Sequence, residues 1–475
     1  MKLVKNMGLS TIYQLMAVIV PLITAPYISR VLGAEGIGIN SYTSSILSYF
    51  TLFAALGIVS YGNREIAYHQ NNIKERSKIF WELELIQATS TLISIVLFLI
   101  FLAFQSEFQI YFLLQGVSLL TVVANISWFF MGLENFKIIV YRNTIINIAV
   151  VFLTFILVKD AGDLWIYILL VTCSSLFANL SVWPFLKREI CKVSFKELQL
   201  KRHLVPMLTL LLPQVVTTAY VSLNKTMLGW FDINSAGYFN QADMIIRVAF
   251  TAVSSFAGAF LPRLSNLFSE QKFEEGKKLI LQSLQLMYTF SFLAIAGIIG
   301  VSDNFAVFYF GKEFAIVGSL MAVEAGVILL FGIAVVLRSQ YLLAMRRMNE
   351  ITISSMLALT VNIVLNFILI PFYGAMGATI AVLITEIVVT GYLIWSVRND
   401  FEYSEMFKEI WKYLLAGVIT LLLIYSLNQS MSATIFNFTV QATVGCVVYA
   451  LLLSITKPPI VKVITPFLKK MLKKQ

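Results

Sequence analysis

The chain is 475 residues long, 59% hydrophobic and only 13% charged, with a mean hydropathy of +0.84. Soluble domains carry about 25% charged residues, so this composition excludes an ordinary soluble protein. A net charge of +10 would suit nucleic acid, but the basic residues are placed as a membrane protein places them, and no nucleic-acid partner is expected.

From end to end, about fourteen runs of roughly 20 apolar residues alternate with short polar connections. At ~1.5 Å per residue each run is long enough to cross a ~30 Å hydrocarbon layer as a helix. The expected spans are 8–30, 37–62, 81–104, 109–131, 138–158, 164–186, 204–230, 235–262, 280–301, 315–338, 351–371, 376–397, 411–428 and 434–456. The expected fold class is an all-α polytopic membrane protein with about 14 transmembrane helices. The opening "MKLVKNMGLS" runs into the first span with no small-residue cleavage pattern, so that span is expected to insert uncleaved.

With the N-terminus taken as cytoplasmic, about 30 of the 35 basic residues fall in the N-terminus, the even-numbered loops and the C-terminal tail. Arg30, Lys159 and Lys312 lie at the opposite ends, and Lys225 and Arg247 lie within spans. This bias predicts that both termini are cytoplasmic. The tail 457–475, "KPPIVKVITPFLKKMLKKQ", reads as a basic amphipathic segment on the anionic inner leaflet.

Catalytic and cofactor chemistry finds no foothold. No G-x-x-x-x-G-K-[ST] is present to cradle a nucleotide phosphate. His69 and His203 fall in separate cytoplasmic loops and form no metal-ligand pair. Cys173, Cys191 and Cys446 are isolated, so no disulfide framework is implied. No enzyme activity, cofactor or metal is expected.

Polar groups inside the spans carry the functional signal, because a charge in hydrocarbon needs a cavity, a partner or water. Arg30 closes the first span, where Pro21 and Pro26 remove backbone donors and predict a bent or broken helix. It reads either as an interfacial anchor or as an arginine turned inward toward an anion. Arg64 and Glu65 close the second span at its cytoplasmic end. Lys225 reads as mid-span, between Asn224 and Thr226, with no comfortable lipid-facing position. Asp243 and Arg247 are four apart and share a helix face with Asn240, as a neutralising pair or a stripe looking into water. Glu324 and Glu386 are lone acids in apolar helices, candidates for ion coupling or for neutral helix contacts. Asn362 and Asn366 stand at i, i+4 ahead of "GAMGA", a stripe that permits close helix contact.

A weak internal repeat lays "PLITAPYIS" (21–29) over "PQVVTTAYVS" (213–222), and "GINSYTSS" (38–45) over "GYFNQADM" (237–244). The offset drifts from about 192 to 199 residues, roughly six spans, which predicts two six-helix bundles in the same orientation.

"PLITAPYISRVLGAEGIG" (21–38), "YGNREIA" (61–67), "GYFNQADMIIRV" (237–248), "LPRLS" (261–265) and "LNFILIPFYGAMGA" (365–378) together resemble the Wzx-type polysaccharide flippases. These form part of the multidrug/oligosaccharidyl-lipid/polysaccharide exporter superfamily. The resemblance implies two lobes, 1–186 and 204–397, around a central cationic cavity and joined by a cytoplasmic linker, 187–203. Two additional helices would occupy 411–456. It implies an undecaprenyl-pyrophosphate-linked oligosaccharide as substrate, membrane lipids as surroundings, and a glycan polymerase and chain-length regulator as partners. Arg30, Arg64 and Arg247 sit in family-like motifs as pyrophosphate ligands. Lys225, Asn240 and Asp243 are added from the reading of the spans. An ion-coupled drug or cation antiporter of the same superfamily is the main alternative, and a non-transporting scaffold of the glycan assembly complex the lesser one.

Overall fold

The computed structural model describes residues 2–258 and 260–461. The last part of the expected basic tail, 462–475, lies outside the described residues. Among the described residues every regular element is helical and no strand occurs. The first half contains α1 (Lys2–Ala55), α2 (Ile58–Tyr68), α3 (Ile73–Ala103), α4 (Gln109–Ala124), α5 (Ser127–Gly132), α6 (Phe136–Leu157), α7 (Leu164–Leu180), α8 (Trp183–Leu186) and α9 (Lys201–Phe231). Then follow α10 (Ile233–Gly258), α11 (Leu261–Ser269), α12 (Phe273–Phe310), α13 (Ala315–Glu324), α14 (Val327–Val335), α15 (Met348–Ser396), α16 (Tyr403–Met406), α17 (Ile410–Ser430) and α18 (Ile435–Thr456).

Among the described residues, 9 helical stretches are long and apolar enough to cross a membrane, or 11 if each of two bent pairs counts as one span. Two of them, Ile19–Tyr68 and Met348–Ser396, run 50 and 49 residues, too long for one crossing at ~1.5 Å per residue. Each leaves helical geometry at a glycine: Gly33 (φ 69°) within α1 and Gly374 (φ 51°) within α15. Positive φ is open to glycine without the Cβ clash that other residues meet. The expected pairs 8–30/37–62 and 351–371/376–397 turn at these two points, and about fourteen spans are consistent with the helices. This is a multi-pass membrane protein.

Helix α1 runs through Pro21 and Pro26 and breaks only at Gly33. The Thr24 hydroxyl, 3.1 Å from the Val20 carbonyl oxygen, adds a hydrogen bond in a stretch where two backbone donors are missing.

The chain divides into two compact units, Met1–Gly237 and Tyr238–Gln475. In the first, α4 packs against α1 and α7, and α9 lies along α1. Phe80, Trp128 and Phe129 form its aromatic centre, with Phe80 ring centroids 5.7 and 5.2 Å from the other two. The Tyr27 hydroxyl donates to the Val158 carbonyl at 2.6 Å and fastens α1 to the end of α6. In the second unit α12 is the central helix, with α13, α14 and α17 packed on it. Tyr413 donates to Gln285 Oε1 at 2.7 Å, and Tyr288 to the Met406 carbonyl at 3.1 Å. In hydrocarbon, lipid tails are as apolar as leucine, so such hydrogen bonds and close packing hold helices together.

The stretch of α1 after its break and the first turn of α10, both within the first unit, make a reciprocal contact. A methyl group at Gly38 would overlap the Ile233 carbonyl oxygen, and one at Gly237 would overlap the Ala34 carbonyl oxygen. Gly38 and Gly237 are the residues that the sequence overlay pairs, and Ala34 stands to Gly38 as Ile233 stands to Gly237. Each glycine therefore lies against the backbone one turn ahead of the other.

Candidate functional site

Arg30, Arg64 and Lys225 belong to the first unit, and Asn240, Asp243, Arg247, Glu324 and Glu386 to the second. Arg30 is exposed on α1, just before the Gly33 break. Arg64 is exposed on α2, 3.5 Å from Glu65, with its guanidinium 5.4 Å from the Tyr61 ring centroid. Lys225 is half-buried and lies toward the C-terminal end of α9 rather than at mid-span.

Beside Lys225 runs a seam of hydroxyls that the sequence reading did not single out as a unit. Ser45 and Thr226 hydroxyl oxygens are 2.8 Å apart, Ser48 and Ser222 2.7 Å. The signal was present in "SYTSS" and "VSLNKT", where hydroxyls recur on one helix face. They join α1 to α9 one turn apart, near the end of α9 that carries Lys225.

At the start of α9 lies a cluster around His203, a residue expected in a loop. His203 is not a loop residue but opens the helix, 2% exposed. Its Nε2 is 2.8 Å from Glu82 Oε2, and its Nδ1 is 2.8 Å from the Tyr61 hydroxyl. Arg202 reaches Glu82 at 2.6 Å and Glu75 at 3.0 Å. Burying the Glu82 carboxylate is sustainable because the Gln199 N–H, Arg202 and His203 all donate to it. The chain Arg64–Tyr61–His203–Glu82 thereby links an exposed arginine to the helix that carries Lys225.

In the second unit Asp243 and Arg247 do meet: Arg247 Nε lies 2.7 Å from Asp243 Oδ1 and 2.8 Å from Oδ2. The carboxylate side chain is 6% exposed and the guanidinium side chain 40%. Asn240 is half-buried one turn earlier. Glu324 ends α13, 1% exposed, where the span Lys312–Leu342 bends by 45°. A π-helical segment, Val336–Leu342, closes the same span. Glu386 is 4% exposed on α15 beside Thr385. Asn366 donates to Asn362 Oδ1 at 3.0 Å, so the expected i, i+4 pair is made. At the polar end of α15, Arg347 binds Asp400 and Glu350. Burial disfavours its charge, but the two carboxylates outweigh that and hold its pKa above the ordinary guanidinium value.

A second feature of this unit is an apolar cavity of about 330 Å³ among α10, α12, α13, α17 and α18. Ile245, Ala249, Ala294, Ile298, Phe438 and Ala442 are among its lining residues. Both of the last two helices of the chain contribute to its wall.

The family described as "Polysaccharide biosynthesis protein" matches residues 3–268. The chain belongs to this family. Among curated relatives it is 24% identical over 385 residues to an O-antigen transporter of Shigella dysenteriae, covering 80% of this chain and 96% of that one. It is 25% identical over 408 residues to an O-antigen transporter of Escherichia coli K12, covering 80% and 93%. Among solved structures it superposes on a lipid II flippase, MurJ, in an inward closed conformation. That match has a TM-score of 0.74, 18% identity, and covers 95% of this chain and 98% of the other. At that identity the likeness establishes the fold.

Proposed function

We propose that this protein moves an undecaprenyl-pyrophosphate-linked oligosaccharide repeat unit from the inner to the outer leaflet of the bacterial plasma membrane. The product feeds surface polysaccharide assembly, with a glycan polymerase and a chain-length regulator downstream. The observation that carries this reading is near full-length similarity to O-antigen transporters on a flippase fold.

The physical problem is a split substrate. A charged diphosphate with sugars cannot cross hydrocarbon unaided, whereas the polyprenyl tail is at home there. Arg30, Arg64, Lys225 and Arg247 supply cations for the diphosphate, arginine through paired N–H donors and lysine as a point charge. Asn240 and Asp243 accompany Arg247 on α10. The all-apolar cavity bordered by α17 and α18 has the chemistry to hold part of a hydrocarbon chain. Two six-span lobes, 1–186 and 204–397, rocking about the site would expose it to each side in turn. Both termini and 187–203 lie in the cytoplasm in this scheme. Direction comes from an ion gradient, from removal of product outside or from the membrane potential, which is worth ~2.3 kcal/mol per charge per 100 mV. Glu324 and Glu386 are the coupling candidates.

The test is reconstitution. Liposomes loaded with fluorescent undecaprenyl-pyrophosphate oligosaccharide should expose the inner-leaflet label to an external quencher only when the protein is present. Unchanged quenching, in a preparation that does transport a cationic dye, would replace this reading with the drug antiporter.

A further inference from the structure

Helix α3 carries a buried polar line that none of the roles above uses. Glu84, Gln87 and Thr91 stand at i, i+3 and i+7, on one helix face. They are 6%, 2% and 2% exposed, and Ser94, one turn further, is 2% exposed. Glu84 Oε2, Gln87 Oε1 and Thr91 Oγ1 are all buried with no hydrogen-bonding partner. The Gln87 amide is fixed in orientation, because its Nε2 donates to the Val122 carbonyl. Its oxygen is left as an acceptor.

Helices α1, α2 and α4 pack against α3. The charged groups of these helices are Lys2, Lys5, Arg30, Glu35, Arg64 and Glu65, and α3 itself adds Lys74, Glu75, Arg76, Lys78 and, next to the line, Glu82; tyrosines of all three neighbours are the other titratable groups. A lone carboxylate among unmatched acceptors is among the most costly arrangements a low-dielectric interior can hold. A cation removes the conflict. A proton turns the carboxyl into a donor, and a sodium ion accepts oxygen ligands from carboxylate, amide and hydroxyl.

We propose that Glu84, Gln87 and Thr91 form a binding site for a monovalent cation, a proton or sodium, on the buried face of α3. Glu84 lies near the cytoplasmic end of the expected span 81–104, so the line Glu84–Gln87–Thr91–Ser94 leads inward from that side. The site's role in driving transport rests on the flippase reading; cation binding itself does not.

The test uses purified full-length protein in detergent and reads two signals. One is the infrared C=O band of a protonated carboxyl, recorded without sodium and then with it; the other is retention of radioactive sodium. A proton site predicts a band that Glu84→Gln removes, Glu84→Asp keeps and sodium leaves unchanged. A sodium site predicts a band that sodium suppresses, with sodium affinity lowered at least ~10-fold in Glu84→Gln and Thr91→Val. Identical spectra and identical sodium retention in wild type and a monodisperse Glu84→Gln protein would overturn the proposal. If the flippase reading alone fails, the cation signals persist while lipid flipping is absent in every variant.

Discussion

Arg247 holds Asp243 through both carboxylate oxygens, at 2.7 and 2.8 Å, with the acid buried and the guanidinium side chain 40% exposed. The acid orients the arginine without hiding it. A pair that served only to cancel its own charges would gain nothing from that asymmetry.

If Lys225 and Arg247 contact the diphosphate, Lys225→Ala and Arg247→Ala should each abolish surface polymer while protein abundance stays normal. The double change Asp243→Asn with Arg247→Gln tests the pair itself. It should stay inactive, since the cation is missing. Recovery of polymer in the double variant would reduce the pair to mutual neutralisation, worth about 1 kcal/mol at this exposure.

Backbone contact between α1 and α10 makes a second outcome sharp. Gly38→Ala or Gly237→Ala drives a methyl into a carbonyl oxygen, and should cost about 1–3 kcal/mol, read as a lower melting temperature in detergent. Gly391→Ala meets nothing within 4 Å. It should be neutral, or stabilising by up to about 1 kcal/mol from helix propensity. Equal melting temperatures for all three would mean that the contact does not exist as described.

Much of this was legible in the chain itself. Apolar run length gave the helices and the breaks between the paired spans 8–30/37–62 and 351–371/376–397, because that signal is local; that the breaks fall on Gly33 and Gly374 was not read from the sequence. The reciprocal contact of Gly38 and Gly237 was not legible, since only folded backbone brings Ala34 to Gly237. Partnering was the least visible. His203 looked like a loop residue until α9 began beneath it, and Glu84 differs from Glu82 in its partners, since both acids are buried. Two acids two residues apart on a helix point in different directions, so one gains three donors and the other none.

The lysine and arginine distribution yields a topological prediction. Cysteines introduced at 72, 195 and 270 should resist an impermeant thiol reagent in intact cells, and one at 161 should react. Labelling of position 195 from outside would invert the whole map and remove the cytoplasmic linker.

Glu324 and Glu386 bear on coupling. Glu324 stands where a span bends by 45°, and both acids are under 5% exposed. A carboxyl in hydrocarbon is costly as an anion, so it holds a cation, or a proton, or a donor. A purely structural hydrogen bond is served equally well by the neutral amide of the same shape, whereas an ion cycle needs a group that gains and loses charge. Glu→Gln therefore separates the two roles with little change in packing. At least one of Glu324→Gln and Glu386→Gln should impair gradient-driven flipping in proteoliposomes while lipid-linked oligosaccharide binding stays within about 2-fold of wild type, a difference under ~0.5 kcal/mol. Full transport by both amide variants under the same imposed gradient would assign these acids to helix packing. Coupling would then have to be sought elsewhere in the chain, with the buried line on α3 as the next place to measure.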